Sequence, residues 1–354
     1  MTSRRAFLAG ALAAGLVPRP GWADAGSPAY LSAAARPDGG YVLCGISAAR
    51  EVLFQIPLPG RGHAAAAHPE RPEAVAFARR PGTFAIVLDC AEGTPKATLS
   101  APAGRHFYGH GAFSRDGAWL YTTENDYDAG RGRIGVWDAA HGYQRVAEFD
   151  SGGIGPHDIR RLPGGDTLVV ANGGIDTHPE TGRTKLNIPT MAPNLSYIAD
   201  GRVVETAAPP AEWHKNSIRH LAVSEAGQVA FGMQWQGDGA SPALIGFHRR
   251  DEAVLLASAP AEELRKMDGY VGSIAFSGTR NEVVATSPRG GVVQVYDARD
   301  GGFRVGIALP DASGVAPCAS GVLLSSGTGR LVRLAGGSAD ALTDLRWDNH
   351  LIAV

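Results

Sequence analysis

Short apolar runs, each broken by a turn-forming residue, recur along almost the whole chain. His110-Gly-Ala-Phe-Ser-Arg-Asp-Gly117 aligns with His157-Asp-Ile-Arg-Arg-Leu-Pro-Gly164 and with His220-Leu-Ala-Val-Ser-Glu-Ala-Gly227. Each reads as a short strand ending in a turn, with a histidine seven residues before a glycine. His63-Ala-Ala-Ala-Ala-His68 fits the same slot, and the steps from 63 to 110 and from 110 to 157 are both 47 residues. Ser273-Ile-Ala-Phe-Ser277 repeats the pattern with serine in the histidine position, and Gly314-Val-Ala-Pro-Cys318 is a weaker copy. Self-similarity at a fixed period of this length is the signature of a repeat architecture.

The segments between these strands keep one texture. Trp119–Thr123, Thr167–Ala171, Gln228–Met233, Glu282–Thr286 and Val322–Ser326 read as second strands. Arg133–Asp138, Leu195–Ala199, Leu244–His248 and Val292–Asp297 read as third strands, and Gln144–Phe149 and Phe303–Leu309 as fourth strands. Four antiparallel strands in about 47 residues make one propeller blade. Six inner strands start near residues 63, 110, 157, 220, 273 and 314. The seventh is expected from His350-Leu-Ile-Ala-Val354, joined by Tyr30–Ala35, Tyr41–Ile46 and Glu51–Pro57. The expectation is an all-β, seven-bladed β-propeller spanning residues 26–354, closed by pairing of its N- and C-terminal strands, which removes open sheet edges.

Composition agrees with that pattern. The 354 residues include 47 glycines and 23 prolines, enough turn formers for many short strands. With 33 Lys+Arg against 35 Asp+Glu, the net charge of −2 gives no basic footprint for nucleic acid or anionic lipid. Three cysteines, Cys44, Cys90 and Cys318, lack the spacing of a disulfide framework, a thiolate zinc site or a c-type haem attachment. No later stretch approaches the roughly 20 apolar residues of a membrane helix.

The first 25 residues read as an address. Ser3-Arg4-Arg5-Ala6-Phe7-Leu8 is a twin-arginine (Tat) motif, followed by the apolar run Phe7–Val17 and by Ala23-Asp24-Ala25 as a small-residue cleavage site. A buried N-terminal helix is the alternative. The twin-arginine route carries folded proteins, which favours a metal or cofactor loaded before export. Cleavage after Ala25 leaves 329 residues, or seven units of 47, in a mildly acidic protein of the bacterial periplasm.

In a propeller the innermost strands begin at one face of the central channel, so residues at their starts converge on its axis. Five consecutive blades place His350, His63, His110, His157 and His220 there, while Ser273 and Gly314 in the other two leave one side of the ring open. Neutral imidazole suits copper, iron, zinc and nickel. The competing reading is structural histidine or plain polar channel lining, as in the Gly-His pairs of WD-type repeats. In this chain, however, His110 sits inside its strand, three residues before Phe113.

Second strands return to the same face. Their ends supply Arg79, Arg80, Glu124, Asn125, Asn172, Gln234, Trp235 and Arg289 as candidate ligand contacts or supports of the histidines, against the alternative of simple turn chemistry. The insertion Ile175–Pro193, with His178, Arg183, Lys185, Asn187 and Met191, is a candidate lid, and His106 a candidate further ligand. His68 reads as structural, and His141, His214 and His248 as surface or loop residues. No G-x-S-x-G, H-E-x-x-H or P-loop motif occurs.

The chain resembles an uncharacterised family of exported bacterial propellers, domain-of-unknown-function family 1513. The resemblance rests on Gly62-His63, Ala78-Arg79-Arg80-Pro81-Gly82, His106-Phe107-Tyr108-Gly109-His110, Glu124-Asn125-Asp126, Gly155-Pro156-His157, Ala171-Asn172-Gly173-Gly174, Ser217-Ile218-Arg219-His220 and Ser287-Pro288-Arg289-Gly290. It brings no established activity. It implies a genetic setting beside imelysin-like periplasmic proteins and a di-haem oxidoreductase-like protein, and hence iron acquisition. The expected function is a periplasmic protein binding iron or copper through the channel histidines, as a component of an iron-uptake system. The alternatives are a metal-dependent periplasmic oxidoreductase and a metal-free protein-docking scaffold.

Overall fold

The computed structural model describes residues 20–79, 82–182, 184–334 and 340–354. Within it the chain forms seven antiparallel sheets, each built around four strand positions. The twin-arginine motif and the apolar run after it lie outside the described residues, as do Arg80 and Arg183. No helix among the described residues is long and apolar enough to cross a membrane.

Blade one pairs Tyr30–Ala35, Tyr41–Ile46 and Val52–Leu58 with the C-terminal pieces Arg346–Trp347 and Ile352–Ala353, which supply its innermost strand. The two ends of the chain therefore close the ring as the sequence predicts. Blades two to seven follow in chain order, with inner strands Gly62–Ala67, Arg105–Phe113, Pro156–Arg161, Asn216–Val223, Ser273–Phe276 and Ala312–Cys318. Ahead of the ring, the turn Trp22–Ala25 packs on blade two, and Trp22 Nε1 donates to the His68 carbonyl at 2.9 Å.

The apolar side chains form seven clusters, one at each interface between neighbouring blades. Phe77, Val87, Phe107 and Trp137 join blades two and three, for example, and Tyr30, Val42, Leu323 and Trp347 join blades seven and one. Burial falls from the channel outward. The second strand Leu168–Asn172 is buried throughout, whereas the outermost strand of blade four, Arg202–Ala207, is mostly exposed. Each blade buries its faces against two neighbours, so no single blade has a core of its own. Removing the terminal pairing would expose both the blade-seven and the blade-two faces.

The inner strands are not regular. Pairing to the second strand slips between Gly62 and Ala65, between Phe107 and Gly111, between Pro156 and Asp158, and between Ile218 and His220. A bulge bends its strand and re-aims a side chain. Four of the five histidines lie within or beside these bulges. At the opposite end of the inner strands the channel widens into a cavity of about 690 Å³ lined by Arg160, Arg161, Arg249, Arg280 and Glu225.

Candidate metal centre

Five imidazoles meet at one end of the channel, four from the bulged strands and His350 from between the two C-terminal strand pieces. Ring centroids are 4.5 Å apart for His350 and His63, and 5.0 Å apart for His63 and His110, for His110 and His157, for His157 and His220, and for His220 and His350. The circuit closes on itself, which corrects the expectation of an open side at blades six and seven. The reason lies at Gly314: a Cβ there would sit 2.8 Å from the Leu351 nitrogen, so the C-terminal strand already fills that side. Gly109 is required for a similar reason, having a φ of +101° and lying where a Cβ would come within 2.7 Å of the His63 ring.

Among the described residues, two groups of three histidines could hold a metal ion: His63, His110 and His350, and His110, His157 and His220. In each group the ligand atoms lie within 4.8 Å of one another, and His110 belongs to both. The Nε2 atoms of His110 and His63 are 3.3 Å apart. Two nitrogens bound to one tetrahedral ion at 2.0–2.1 Å would be about 3.4 Å apart.

Two of the rings are held by groups that fix their orientation. His110 Nδ1 lies 3.1 Å from Asp158 Oδ1, and His157 Nδ1 lies 2.9 Å from the Arg219 carbonyl. His63 Nδ1 faces Asp348 Oδ1 at 3.9 Å. Asp158 also accepts from the Ile159 and Leu221 amides, while Asp348 receives Arg61 at 2.6 Å and Arg79 at 2.7 Å. Such partners set the tautomer of a metal-binding imidazole and raise its basicity. Nε2 of His350 and both ring nitrogens of His220 are buried with no hydrogen-bond partner among the described residues. Leaving such atoms unsatisfied is costly.

Burial pushes His63 down to about 4, partly offset by Asp348, and holds His157, His220 and His350 well below the usual histidine range. These rings are neutral at pH 7, with lone pairs free for a metal. Burial would raise Asp348 and Asp158. His63 and Arg79 outweigh it at Asp348, Arg160 and His110 outweigh it at Asp158, and both carboxyls lie well below the usual carboxylate range. Burial pushes the Cys44 and Cys90 thiols up to about 12, which leaves them protonated and inert.

A cavity of about 220 Å³ opens directly on the cluster, lined by His63, His157 and His220 together with Arg79, Gln234 and Tyr270. Ile175, Thr177 and Lys185 of the long insertion form another part of its wall. That insertion is tied across the site. Asn125 Nδ2 of blade three donates to the Thr177 carbonyl at 3.0 Å, and Lys185 Nζ donates to Gln236 Oε1 of the loop after blade five's second strand.

The remaining candidates separate from the cluster. Glu124 is fully buried in blade three and bound by both Arg145 Nη atoms, at 2.6 and 3.0 Å. Asn172 is likewise consumed by Ser151, Asn194 and Ser196. His106 stacks on Tyr127, with its Nε2 3.4 Å from Asn125 Nδ2, outside both histidine groups. Trp235 faces Trp213, and Arg289 covers the ring of Tyr270 at 4.7 Å. His68 is structural, accepting from the Glu70 and Arg71 amides. His248 differs from its sequence reading: it is a buried strand residue bonded to the Tyr197 hydroxyl at 2.7 Å, because the turn that looks like its surroundings begins one residue later.

Sequence reasoning missed Asp158, Asp348, Arg219 and Tyr270. The signal available was adjacency: Asp158 follows His157, and Asp348 stands two residues before His350.

The fold and the cluster together define a seven-bladed propeller whose channel carries a candidate metal centre. The family described as a protein of unknown function (DUF1513) matches residues 56–354, and the chain belongs to it. None of the curated proteins matches. Among solved structures, a chain of Kuenenia stuttgartiensis hydrazine synthase is similar with a TM-score of 0.61 and 15% identity, over 87% of this chain and 96% of that one. At that identity the likeness is one of fold.

Proposed function

We propose that this protein binds a transition metal ion, iron or copper, at the channel histidines, and that it serves metal handling in the bacterial periplasm after twin-arginine export. The observation that carries the reading is the division of roles within the rings. His110 and His157 have Nδ1 engaged by a carboxylate and a carbonyl, while inward nitrogens of His220 and His350 have no protein partner among the described residues. Histidines serving only the fold would resemble His68 or His248, whose two nitrogens both have partners.

His110 would be the shared ligand, with His63 and His350 or His157 and His220 completing a three-histidine set. Bound metal would supply Lewis acidity or redox capacity at a position next to the 220 Å³ cavity. A role beside imelysin-like partners in iron uptake is the finer part of this proposal, and it is suggested by the family resemblance alone. The same cavity favours one second reading, a metal-dependent oxidoreductase, because it leaves space for an exogenous molecule beside His157 and His220.

The test is reconstitution. Protein stripped with a chelator is dialysed against Fe(II), Cu(II) or Zn(II) separately, then assayed by elemental mass spectrometry and thermal melting. About one retained equivalent with a raised melting temperature is the expected result, by mass action. No retained metal and an unchanged melting temperature would overturn the proposal.

A further inference from the structure

The cavity above the histidines has an unusual charge balance. Its described lining contains Arg79, Lys185 and Arg219, the polar residues Tyr108, Thr177, Gln234 and Tyr270, the apolar Ile175, and no carboxylate. Arg79 is matched by Asp348. Lys185 is in the opposite situation: partial desolvation and two further cations, Arg219 and Arg289, lower it from the usual lysine range. Arg289 reaches the same neighbourhood over the Tyr270 ring. Cations brought together at one cavity repel one another, and a bound anion relieves that repulsion.

We propose that this cavity is a binding site for a small oxyanion, a carboxylate or a phosphate, held by Arg219 and Lys185. The volume of about 220 Å³ far exceeds the 10–15 Å³ that one water needs, so a polyatomic anion fits with waters around it. Guanidinium presents paired donors to two oxygens of one ligand, and the ammonium of Lys185 adds a point charge from the insertion. Anchoring of the insertion at Thr177 and Gln236 keeps Lys185 over the cavity. His157 and His220 on the cavity floor place one anion oxygen beside the metal position. That last contact rests on the metal reading, whereas capture by the cations does not.

The experiment is isothermal titration of metal-stripped, full-length protein with citrate, malonate and inorganic phosphate in turn, with chloride at matched ionic strength as control. The expected result is saturable binding of at least one oxyanion, weakened by added salt. Arg219→Gln and Lys185→Gln should each reduce affinity by about tenfold or more. The carboxylate and phosphate arms then identify the ligand chemistry. Lys185→Gln changes an exposed residue of the insertion. It therefore decides the question even if Arg219→Gln fails to fold. Heat signals no larger than those of chloride, or a folded Lys185→Gln protein that binds as wild type, would overturn the proposal. Repeating the titration after metal loading separates the two readings: oxyanion binding in a protein that retains no metal leaves the anion site standing and removes the metal centre.

Discussion

In blade three the inner strand bulges between Phe107 and Gly111, and His110 turns to the channel with Nδ1 against Asp158 of blade four. In blade six the same strand runs in regular register, Ser273 opposite Thr286, and the Ser273 hydroxyl accepts the Val315 amide of blade seven at 3.3 Å. Thr286 donates in turn to the Ser313 carbonyl at 2.6 Å. Both strands occupy equivalent places in the ring. Blade six uses its polar residues to join neighbouring blades and leaves them satisfied. Blade three also reaches its neighbour, through Asp158, but turns the other ring nitrogen of His110 towards His63 at 3.3 Å. A bulge alone does not make a site, since blade seven also slips between Ala312 and Val315; the buried ring nitrogens of His220 and His350, without hydrogen-bond partners among the described residues, mark the site.

The largest effect that would break this contrast is loss of the shared ligand. His110→Ala removes a member of both histidine triads and is expected to abolish stoichiometric metal retention, read by elemental analysis, while the circular dichroism of the sheet persists. Retention of the ion would mean that the triads are not the site.

Gly314→Ala probes the seam side. Its new Cβ would lie 2.7 Å from Ser325 Oγ and 2.8 Å from the Leu351 nitrogen, both within the closure between blades seven and one. Overpacking of this kind costs about 1–3 kcal/mol, so denaturant unfolding should shift to lower concentration. Asp158→Asn keeps the shape and removes the charge behind His110. Metal affinity should fall about 10–100-fold by competitive titration, as for other outer partners of metal-binding imidazoles.

A smaller effect follows from protons. His63 titrates near 6.5 when unfolded and at about 4 in the fold, and His157, His220 and His350 also lie below their unfolded values. The unfolded chain therefore binds more protons as pH falls from about 6.5 towards 4, and the metal-free protein loses stability across that window. The slope is about 1.4 kcal/mol per pH unit for each such ring. Asp348, Asp158 and Arg79 face these rings, and the two carboxylates extend the loss below the usual carboxylate range. Chemical denaturation at several pH values should show the slope, reduced in His63→Gln. A flat profile would argue against neutral buried rings.

Much of this was legible in sequence. The 47-residue step brought out His63, His110 and His157 together, and the likeness of His350-Leu-Ile-Ala to His220-Leu-Ala-Val predicted the closing strand. Those features repeat locally, so a linear reading finds them. The supporting groups do not repeat. Asp158 serves a histidine from the preceding blade, and Arg79 meets Asp348 across a separation of 269 residues. Glu124 shows the converse: it stands at the end of a second strand, where a rim residue is expected, yet its side chain is tied to Arg145 within the blade. Which face an end residue presents depends on strand register, and the slips that set it are invisible to a count along the chain.

The most direct measurement of the central claim is metal content by mass spectrometry on protein expressed with its full N-terminal segment, beside a His110→Ala/His157→Ala double variant. About one equivalent of iron or copper is expected in the native protein and none in a variant that remains folded. A native protein that carries no metal and takes up neither ion when it is supplied would contradict it.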